Sequence, residues 1–265
     1  MSNFSVTLIL NKILKNIQQI INSLFYRSLK RLHPLYRNTI KSKQRFLELG
    51  GKIDEVVLEL DDIQDFAGSA GGHYFHQDLL VAKFIFDRNP QKHLDIGSRI
   101  DGFVAHVASF RKISVLDIRE ITLNAHPNIE FIKGDFLRFE TGDDFDSISC
   151  LHTIEHIGLG RYGDSIDPEG SKKTFHKLLS LLSAGGRLYL SFPIGHESRV
   201  IFNRHRIFSP RIIFDWILES PDTKLERFDY VDDLGNLIVD QDVDLVSELN
   251  LKYGCGIYTL VKDKI

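Results

Sequence analysis

The sequence lacks several features that mark other classes of protein. It has two cysteines, Cys150 and Cys255, among 265 residues, which excludes a disulfide framework and a four-cysteine zinc site. In the N-terminal segment the longest uncharged stretches, 1–11 and 16–26, are shorter than the about 20 apolar residues of a membrane-spanning helix. A basic n-region and an A-x-A site are also missing, so we expect no signal peptide. Since nothing requires an oxidising compartment, we expect a cytoplasmic globular protein.

Acidic residues are absent from the first 47 positions, which carry nine lysines and arginines. Since the whole chain has 33 basic and 36 acidic residues, the net charge is +9 in this segment and −12 in the rest. Such a contrast is typical of an interaction segment joined to a separate body. We therefore predict two domains, a basic helical extension over residues 1–50 and a main domain over residues 51–265.

The basic extension carries a helical pattern. Apolar residues recur at steps of three and four over residues 10–25, which predicts an amphipathic helix, and a second helix is expected over residues 35–49, ended by Gly50-Gly51. A basic amphipathic helix over residues 5–32 can lie on an anionic membrane surface, which would place the protein at the inner membrane face. The alternative is that the helix packs on the main domain or on a second copy, giving a homodimer. A nucleic-acid partner is disfavoured because the acidic body repels phosphates.

From residue 76 onwards, predicted helices and strands alternate. Strands are predicted at 93–96, 113–118, 129–132, 145–151 and 187–192, and helices at 77–87, from 101, at 168–183 and at 209–218. Two last strands, 224–231 and 256–261, are expected to pair antiparallel at one edge of the sheet. This alternation predicts an α/β fold with a doubly wound, mostly parallel seven-stranded sheet and an N-terminal helical extension.

Three aspartates follow or end three consecutive predicted strands. In doubly wound sheets the ligand lies at the carboxyl ends of the strands, where Gly97 would let the backbone approach it. Asp95 suits a cationic group, Asp117 can accept hydrogen bonds from ribose hydroxyls, and Asp135 can accept from an adenine amino group. A nicotinamide dinucleotide is disfavoured, because the first turn lacks G-x-G-x-x-G and its acid would repel a pyrophosphate.

At these positions the chain resembles the class I S-adenosylmethionine-dependent methyltransferases. The matching segments are Leu94-Asp95-Ile96-Gly97, Val115-Leu116-Asp117, Gly134-Asp135, 144–156 and 181–193. More narrowly, segments 72–78 and 155–164 are similar to an uncharacterised methyltransferase-like family whose members often accompany surface-polysaccharide genes. The loop after the first predicted strand, which begins at Gly97, departs from the D/E-x-G-x-G-x-G pattern of the superfamily, because Arg99 replaces the second glycine of that pattern.

The resemblance implies S-adenosylmethionine as the cofactor. The residues expected to bind it are Asp95, Gly97, Ser98, Gly102, Asp117, Ile118, Asp135, Phe136 and Leu151. The implied activity is methyl transfer to a hydroxyl of a small molecule or glycan intermediate. The alternative is a non-catalytic, methyltransferase-like scaffold in a polysaccharide-assembly complex. A nicotinamide-dependent sugar-modifying enzyme is disfavoured further because no Tyr-x-x-x-Lys pair stands at the expected place.

Transfer to a hydroxyl is helped by a general base, and histidine suits that role near neutral pH. The candidates follow the fourth strand, with His156 ranked first, His152 second, and Glu155 beside them. These residues also match the zinc-peptidase pattern H-x-x-E-H, which needs both histidines on one helix. Because glycines soon follow and would break such a helix, we assign no metal ligands to this segment. Metal assistance within a methyltransferase is a separate alternative.

Acceptor-binding residues are expected in three segments around the strand ends. The first precedes the first strand, the second is a glycine-bearing loop after the fourth, and the third follows the fifth. The candidates are His73, Tyr74 and His76, then Arg161 and Tyr162, then Asn203, His205 and Arg206. Arginine and tyrosine side chains can hold an anionic or sugar acceptor.

Overall fold

The computed structural model describes residues 35–59, 65–121 and 126–264. The chain divides into two compact units, Met1–Ser69 and Ala70–Ile265. The first unit contains helix α1, Tyr36–Glu48. Its bounds confirm the second predicted helix of the extension, whereas the helix predicted over 10–25 lies outside the described residues. Among the described helices, none is long and apolar enough to cross a membrane.

The second unit is built on an eight-stranded sheet. Its strands are β1 His93–Ile96, β2 Ile113–Asp117, β3 Ile129–Lys133, β4 Phe145–Leu151, β5 Leu182–Ile194, β8 Thr223–Val231, β9 Leu237–Ile238 and β10 Gly254–Lys262. Their order is β3-β2-β1-β4-β5-β10-β8-β9. The first five strands are parallel, whereas β10 runs antiparallel to both β5 and β8. This arrangement confirms the predicted mixed, mostly parallel α/β fold.

Helices follow or precede the strands as the alternation predicted. They are α2 His73–Arg88, a π-helical turn Ile100–Val104 that continues into α3 Ala105–Ala108, α4 Gly170–Ser180, α5 Ile212–Ile217 and α6 Val243–Ser247. Strands β6 Arg199–Ile201 and β7 His205–Ile207 form a separate hairpin. Helix α4 ends earlier than predicted, and Gly185-Gly186 lie inside β5 rather than at the end of a helix.

The antiparallel pairing of the two last predicted strands is confirmed, but β10 is an interior strand. It lies between β5 and β8, and its first seven residues are all buried. A strand covered on both faces reads as a continuous apolar run and not as an alternating one. The edge is instead closed by the short strand β9, which adds an eighth strand to the seven that we predicted.

The core lies on both faces of the sheet. Along β5, Leu188 and Leu190 belong to one apolar cluster, together with Phe175 of α4 and Trp216 of α5. Between them, Tyr189 belongs to a second cluster that includes residues of α2 and α3. Since neighbouring residues of a strand point to opposite faces, the two clusters are the two covered sides of one sheet. This packing holds the ends of the central strands in fixed positions.

Candidate functional site at the carboxyl ends of the strands

A cleft opens where the parallel strands end. Six of the predicted cofactor-binding residues line it: Gly97, Asp117, Ile118, Asp135, Phe136 and Leu151. In the sheet, β2 lies on one side of β1 and β4 lies on the other side. The cleft therefore lies at the point where the strand order reverses. Such a switch point is where doubly wound sheets bind their ligands.

Glycines shape the wall of the cleft at two points. Gly97 has φ +73°, and a Cβ atom there would lie 2.5 Å from Cγ2 of Thr153 on the loop after β4. Only glycine therefore allows the two loops to approach this closely. At Gly134, in contrast, a Cβ atom would have nothing within 4 Å. A side chain at this position would stand in the open space of the cleft.

Asp95 does not line the cleft, which corrects our expectation for it. Its side chain is fully buried and accepts hydrogen bonds from the amide and hydroxyl of Ser98 at 3.0 and 2.8 Å, and from Ser149 Oγ at 2.5 Å. His93 Nε2 lies 3.1 Å from the same Ser149 oxygen. Burial raises the pKa of Asp95 to about 7. This carboxyl group therefore holds the first loop in shape from within and offers no contact to a ligand.

Asp117 does face the cleft, and it has an ionic partner. Its carboxylate accepts hydrogen bonds from the amide of Arg119 at 2.8 Å and from Nε and Nη2 of the same arginine at 3.0 and 2.5 Å. The guanidinium carbon of Arg119 lies 5.0 Å from the ring centre of Tyr162. A ligand that binds Asp117 must therefore share this carboxylate with Arg119 or displace it.

Asp135 lies at the third strand end and caps a short 3₁₀ turn, Phe136–Arg138. Its side chain accepts a hydrogen bond from the amide of Leu137 at 3.0 Å. The second carboxylate oxygen lies 3.7 Å from Arg138 Nε, too far for a hydrogen bond. The carboxylate therefore keeps acceptor capacity towards the cleft, beside the buried ring of Phe136.

His152 is the first residue after β4 and is buried. Its backbone has φ +48°, an uncommon conformation for a residue other than glycine. Its Nδ1 lies 2.8 Å from Oε1 of the buried Glu155, whereas its Nε2 has no hydrogen-bond partner. Burial opposes the charged ring, but Cys255 and Glu155 outweigh this and raise the pKa of His152 well above its ordinary value. A buried, orphaned nitrogen is costly unless a ligand satisfies it.

His73 and Cys255 lie beside His152. The ligand atoms that these three residues offer are all within 4.8 Å of one another. The His73 ring stacks on the His152 ring with centres 5.2 Å apart, and its Nε2 lies 3.2 Å from the carbonyl oxygen of Tyr253. Burial, together with His152, lowers the pKa of His73 to about 4. Since a carbonyl oxygen only accepts, Nε2 donates and the neutral His73 keeps its lone pair on Nδ1.

His156 lines the cleft, and its Nε2 lies 3.7 Å from Oε1 of Glu155. Its Nδ1 donates to the carbonyl oxygen of Arg204 at 2.7 Å, so the neutral ring has its lone pair on Nε2. Burial lowers its pKa, which keeps the ring neutral near pH 7. Residues 152–160 form turns and bends without a helix. His152 and His156 therefore do not share a helix face, as the zinc-peptidase pattern would require.

The loop over residues 158–167 covers one side of the cleft with Tyr162. One carboxylate, that of Asp164, accepts from the amides of Gly158, Gly160 and Tyr162 at 2.8, 3.1 and 3.2 Å. The guanidinium carbon of Arg161 lies 5.1 Å from the ring centre of Tyr162. The Tyr162 ring therefore contacts two guanidinium groups, that of Arg161 from its own loop and that of Arg119 from the end of β2.

Several residues expected at the site lie elsewhere. Ser98 is buried against Asp95, Gly102 lies in the π-helical turn, and His76 lies on α2. Asn203 is exposed in the turn between β6 and β7, and His205 is buried at the start of β7, with its ring 5.4 Å from that of Tyr253.

Arg206 is buried and does not line the cleft either. Its guanidinium is buried and donates to the carbonyl oxygens of Ile157 at 2.7 Å and Pro168 at 3.3 Å and to Ser171 Oγ at 3.1 Å. Arg206 thus ties together both ends of the loop over 158–167. Its positive charge is used inside the fold, where it satisfies carbonyl groups that would otherwise be buried without donors.

Sequence reasoning missed three residues of the site. Arg119 lies two residues after Asp117, and this spacing was the available signal for an ion pair. Thr153 packs against Gly97, which only the fold reveals. Cys255 lies on β10, far along the chain from His73 and His152, and no local pattern connects them. The insertion of β10 beside β5 brings this cysteine to the site.

The strand order, the antiparallel interior strand and the position of the cleft define the class I methyltransferase fold. A solved structure with the same fold is that of the [4+2]-cyclase SpnF, with a TM-score of 0.51, 14% identity and coverage of 82% of this chain and 91% of that chain. Since a cyclase shares this fold, the fold leaves the reaction open.

Two further solved structures are similar to this chain. One is an S-adenosylmethionine-dependent methyltransferase from Clostridium acetobutylicum, with a TM-score of 0.48, 13% identity and coverage of 84% and 100% of the two chains. The other is the N-methyltransferase NodS from Bradyrhizobium japonicum in complex with S-adenosyl-L-homocysteine, with a TM-score of 0.46, 14% identity and coverage of 77% and 93%.

In sequence, residues 113–219 match the model of a family described as Caenorhabditis protein of unknown function, DUF268. This match confirms the similarity to an uncharacterised methyltransferase-like family that the motifs indicated. No curated protein matches the chain in sequence.

Proposed function

We propose that this protein is an S-adenosylmethionine-dependent methyltransferase that acts on a hydroxyl group of a small molecule or glycan intermediate. The observation that supports it most is the cleft at the switch point. There Asp117 and Asp135 stand at the ends of β2 and β3, and Gly134 leaves open space between them. This donor and acceptor pattern suits a nucleoside, whose ribose and base carry hydrogen-bond donors.

The residues present fit the nucleoside part of this cofactor. Asp117 would accept from the ribose hydroxyls, Asp135 from the adenine amino group, and the apolar Ile118 and Phe136 would flank the base. The backbone at Gly97 would lie against the methionine part. When bound, S-adenosylmethionine supplies a methyl group that is activated by its sulfonium. The protein then has to align the acceptor and exclude water.

His156 is the residue that we assign as general base. Its Nε2 carries a lone pair in the neutral ring, and the ring lines the cleft. A base that takes the proton of an acceptor hydroxyl accelerates such reactions by about 10²–10⁴-fold. Tyr162, held by the loop over 158–167, would contact a sugar or another small acceptor. His152 is less suited as a base, because its Nδ1 is held by Glu155 and its ring is buried beside His73 and Cys255.

Calorimetry with S-adenosylmethionine and S-adenosylhomocysteine tests the cofactor assignment. We expect wild-type protein to bind both with micromolar affinity, and Asp117→Ala to bind about tenfold more weakly because it loses a charge-assisted hydrogen bond to ribose. Asp144→Ala, which removes an exposed aspartate outside the cleft, is the matched control and should bind like wild type. Absence of binding by folded wild-type protein would refute the proposal.

A second candidate function, a non-catalytic scaffold in a polysaccharide-assembly complex, is favoured by the Asp117–Arg119 ion pair. This pair occupies the carboxylate that would hold the ribose. The variant Arg119→Gln separates the two functions. A half-exposed ion pair contributes at most about 1 kcal/mol, so a binding-competent site should gain no more than about fivefold in affinity when the pair is removed. Binding by Arg119→Gln but not by wild type would support the scaffold.

A further inference from the structure

Three potential metal ligands converge beside the cleft. His73 comes from the start of α2, His152 from the end of β4, and Cys255 from β10. Their ligand atoms lie within 4.8 Å of one another. His152 and Cys255 are buried and His73 is half-buried, so the cluster is reached from the His73 side. Neither the nucleoside contacts nor the base that we propose above uses this cluster.

The orientation of His152 points to a bound ion. Its Nδ1 is held by the carboxylate of Glu155 at 2.8 Å, and its Nε2 is buried without a hydrogen-bond partner. Metal-binding histidines commonly donate one ring nitrogen to a carboxylate, which fixes the tautomer and directs the other nitrogen at the metal. A buried polar atom without a partner calls for a ligand. A ligand atom of His152 lies within 4.8 Å of one from His73 and one from Cys255.

His73 is oriented in the same manner. The carbonyl oxygen of Tyr253 accepts from its Nε2 at 3.2 Å, which leaves the Nδ1 lone pair as the coordinating atom. The ring stacks on that of His152 with an angle of 9° between the planes. Because an imidazole binds a metal in the plane of its ring, one of the two rings has to turn before both can bind one ion. Each histidine of the cluster thus has one nitrogen held by an oxygen acceptor and the other free to coordinate.

The donor set indicates the kind of metal. Two imidazoles and one thiolate suit zinc, whereas magnesium and calcium prefer oxygen ligands. Three protein ligands leave the fourth tetrahedral position open to water, as in catalytic zinc sites. With zinc–nitrogen bonds of about 2.0–2.1 Å and a zinc–sulfur bond of about 2.3 Å, ligand atoms around one tetrahedral ion stand about 3.3–3.6 Å apart. Since the ligand atoms lie within 4.8 Å of one another, the largest separations have to shrink by up to about an ångström.

We propose that His73, His152 and Cys255 form a site for a thiophilic divalent metal of the zinc class, with Glu155 as the residue that orients His152. Binding displaces the protons of the Cys255 thiol and of His152 Nε2, which leave to solvent, and water completes the coordination. The site takes only one histidine of the H-x-x-E-H pattern. Its other ligands come from α2 and β10, so the metal ties the first helix of the unit to the interior antiparallel strand.

The test uses the full chain, stripped with a chelator and titrated separately with Zn²⁺ and with Co²⁺. We expect wild-type protein to take up one equivalent of either metal. The cobalt form should show the thiolate-to-cobalt charge-transfer band and the intense visible bands of tetrahedral cobalt, because sulfur is among the ligands. Competition with a chromophoric chelator measures the zinc affinity.

Matched variants assign the ligands. The chain has two cysteines, both buried, and only Cys255 is in the cluster. Cys150→Ser should therefore retain zinc affinity and the cobalt band, whereas Cys255→Ser should lose the band and bind zinc more than about 100-fold more weakly. His73→Ala should weaken binding similarly, and Glu155→Gln by about 10–100-fold, as expected for a residue that orients a ligand.

Three results would overturn the proposal. They are no stoichiometric uptake by folded wild-type protein, a charge-transfer band that persists in Cys255→Ser, and equal zinc affinity in wild type, His73→Ala and Cys255→Ser. The wild-type cobalt spectrum needs no variant, so the proposal is testable even where Cys255→Ser fails to fold by circular dichroism. Because cofactor binding is measured separately, failure here leaves the proposed methyltransferase function untouched.

Discussion

Two aspartates at neighbouring strand ends show how strongly the surroundings of a residue decide its role. Asp95 and Asp117 both end or nearly end a parallel strand, on β1 and β2. Both strands are flanked on both sides in the sheet. Asp95 is fully buried, and Ser98 and Ser149 donate to its oxygens. Asp117 is the last residue of β2, pairs with the half-exposed Arg119 and lines the cleft. Only the second carboxylate is available to a ligand.

The buried carboxyl group of Asp95 makes folding stability depend on pH. Its pKa is about 7 in the folded protein, because burial disfavours the charge, against 3.8 for an exposed aspartate. Between these two pH values the unfolded chain has lost a proton that the folded chain keeps. Stability therefore falls as pH rises through this window, by at most about 1.4 kcal/mol per pH unit from this group.

We expect the variant Asp95→Asn to lose this slope, because it carries no titrating proton. Chemical denaturation of wild type and variant at several pH values between about 4 and 7 measures the difference. Asp144→Asn removes an exposed carboxylate and should keep the wild-type slope. Equal slopes for all three proteins would show that Asp95 is ionised throughout and that burial does not raise its pKa.

At the scale of elements, the loop over residues 158–167 depends on glycine for two different reasons. Gly158 and Gly163 share the same backbone conformation, with φ +87°. A Cβ atom at Gly158 would overlap the carbonyl oxygen of Asp167, at the other end of the loop, whereas one at Gly163 would meet nothing within 4 Å. The first glycine permits close packing, and the second permits only the left-handed turn.

The pair Gly158→Ala and Gly163→Ala separates these two effects. Gly163→Ala should lower the free energy of unfolding by about 1–2 kcal/mol, the cost of a left-handed conformation for a residue with a side chain. Gly158→Ala should cost about 1–3 kcal/mol more, because the backbone must also shift. Urea denaturation measures both. Equal losses would mean that the loop relaxes around the new methyl group without cost.

At the scale of the whole molecule, charge and fold divide the chain differently. The methyltransferase-type sheet lies entirely in the unit Ala70–Ile265. The +9 segment lies in the other unit, where the described part includes helix α1. No residue of α1 is buried among the described residues, and Phe46 and Leu47 are about half exposed. This exposure is consistent with either a membrane surface or a protein partner for the extension.

Sedimentation with vesicles tests the membrane contact expected for residues 5–32. We expect the full chain to sediment with vesicles that contain anionic lipid, more weakly at high salt, because its lysines and arginines are attracted to the lipid charge. A chain that begins at Gly50 should stay in solution, and uncharged vesicles are the control. If both chains sediment equally, the membrane interpretation fails. A larger mass for the full chain in solution would then indicate a homodimer.

The sequence by itself determined the order of the elements and the edge at which the site lies. Alternating strands and helices imply a parallel sheet, and parallel strands bring their carboxyl ends to one edge. For this reason the strand pattern was enough to place Gly97, Asp117 and Asp135 at the cleft. The helix expected over residues 35–49 agrees with α1 to within a residue at each end, since Gly50-Gly51 is a local signal for a helix end.

Only the tertiary structure decided which side chains face the cleft and which are enclosed. Asp95 and Arg206 were expected to contact ligands, but both side chains are buried and bonded to groups within the protein. The cluster of His73, His152 and Cys255 has members on three elements far apart in the chain, and it exists because β10 inserts between β5 and β8. Contacts of this kind depend on strand order and side-chain direction, which no local pattern in the sequence encodes.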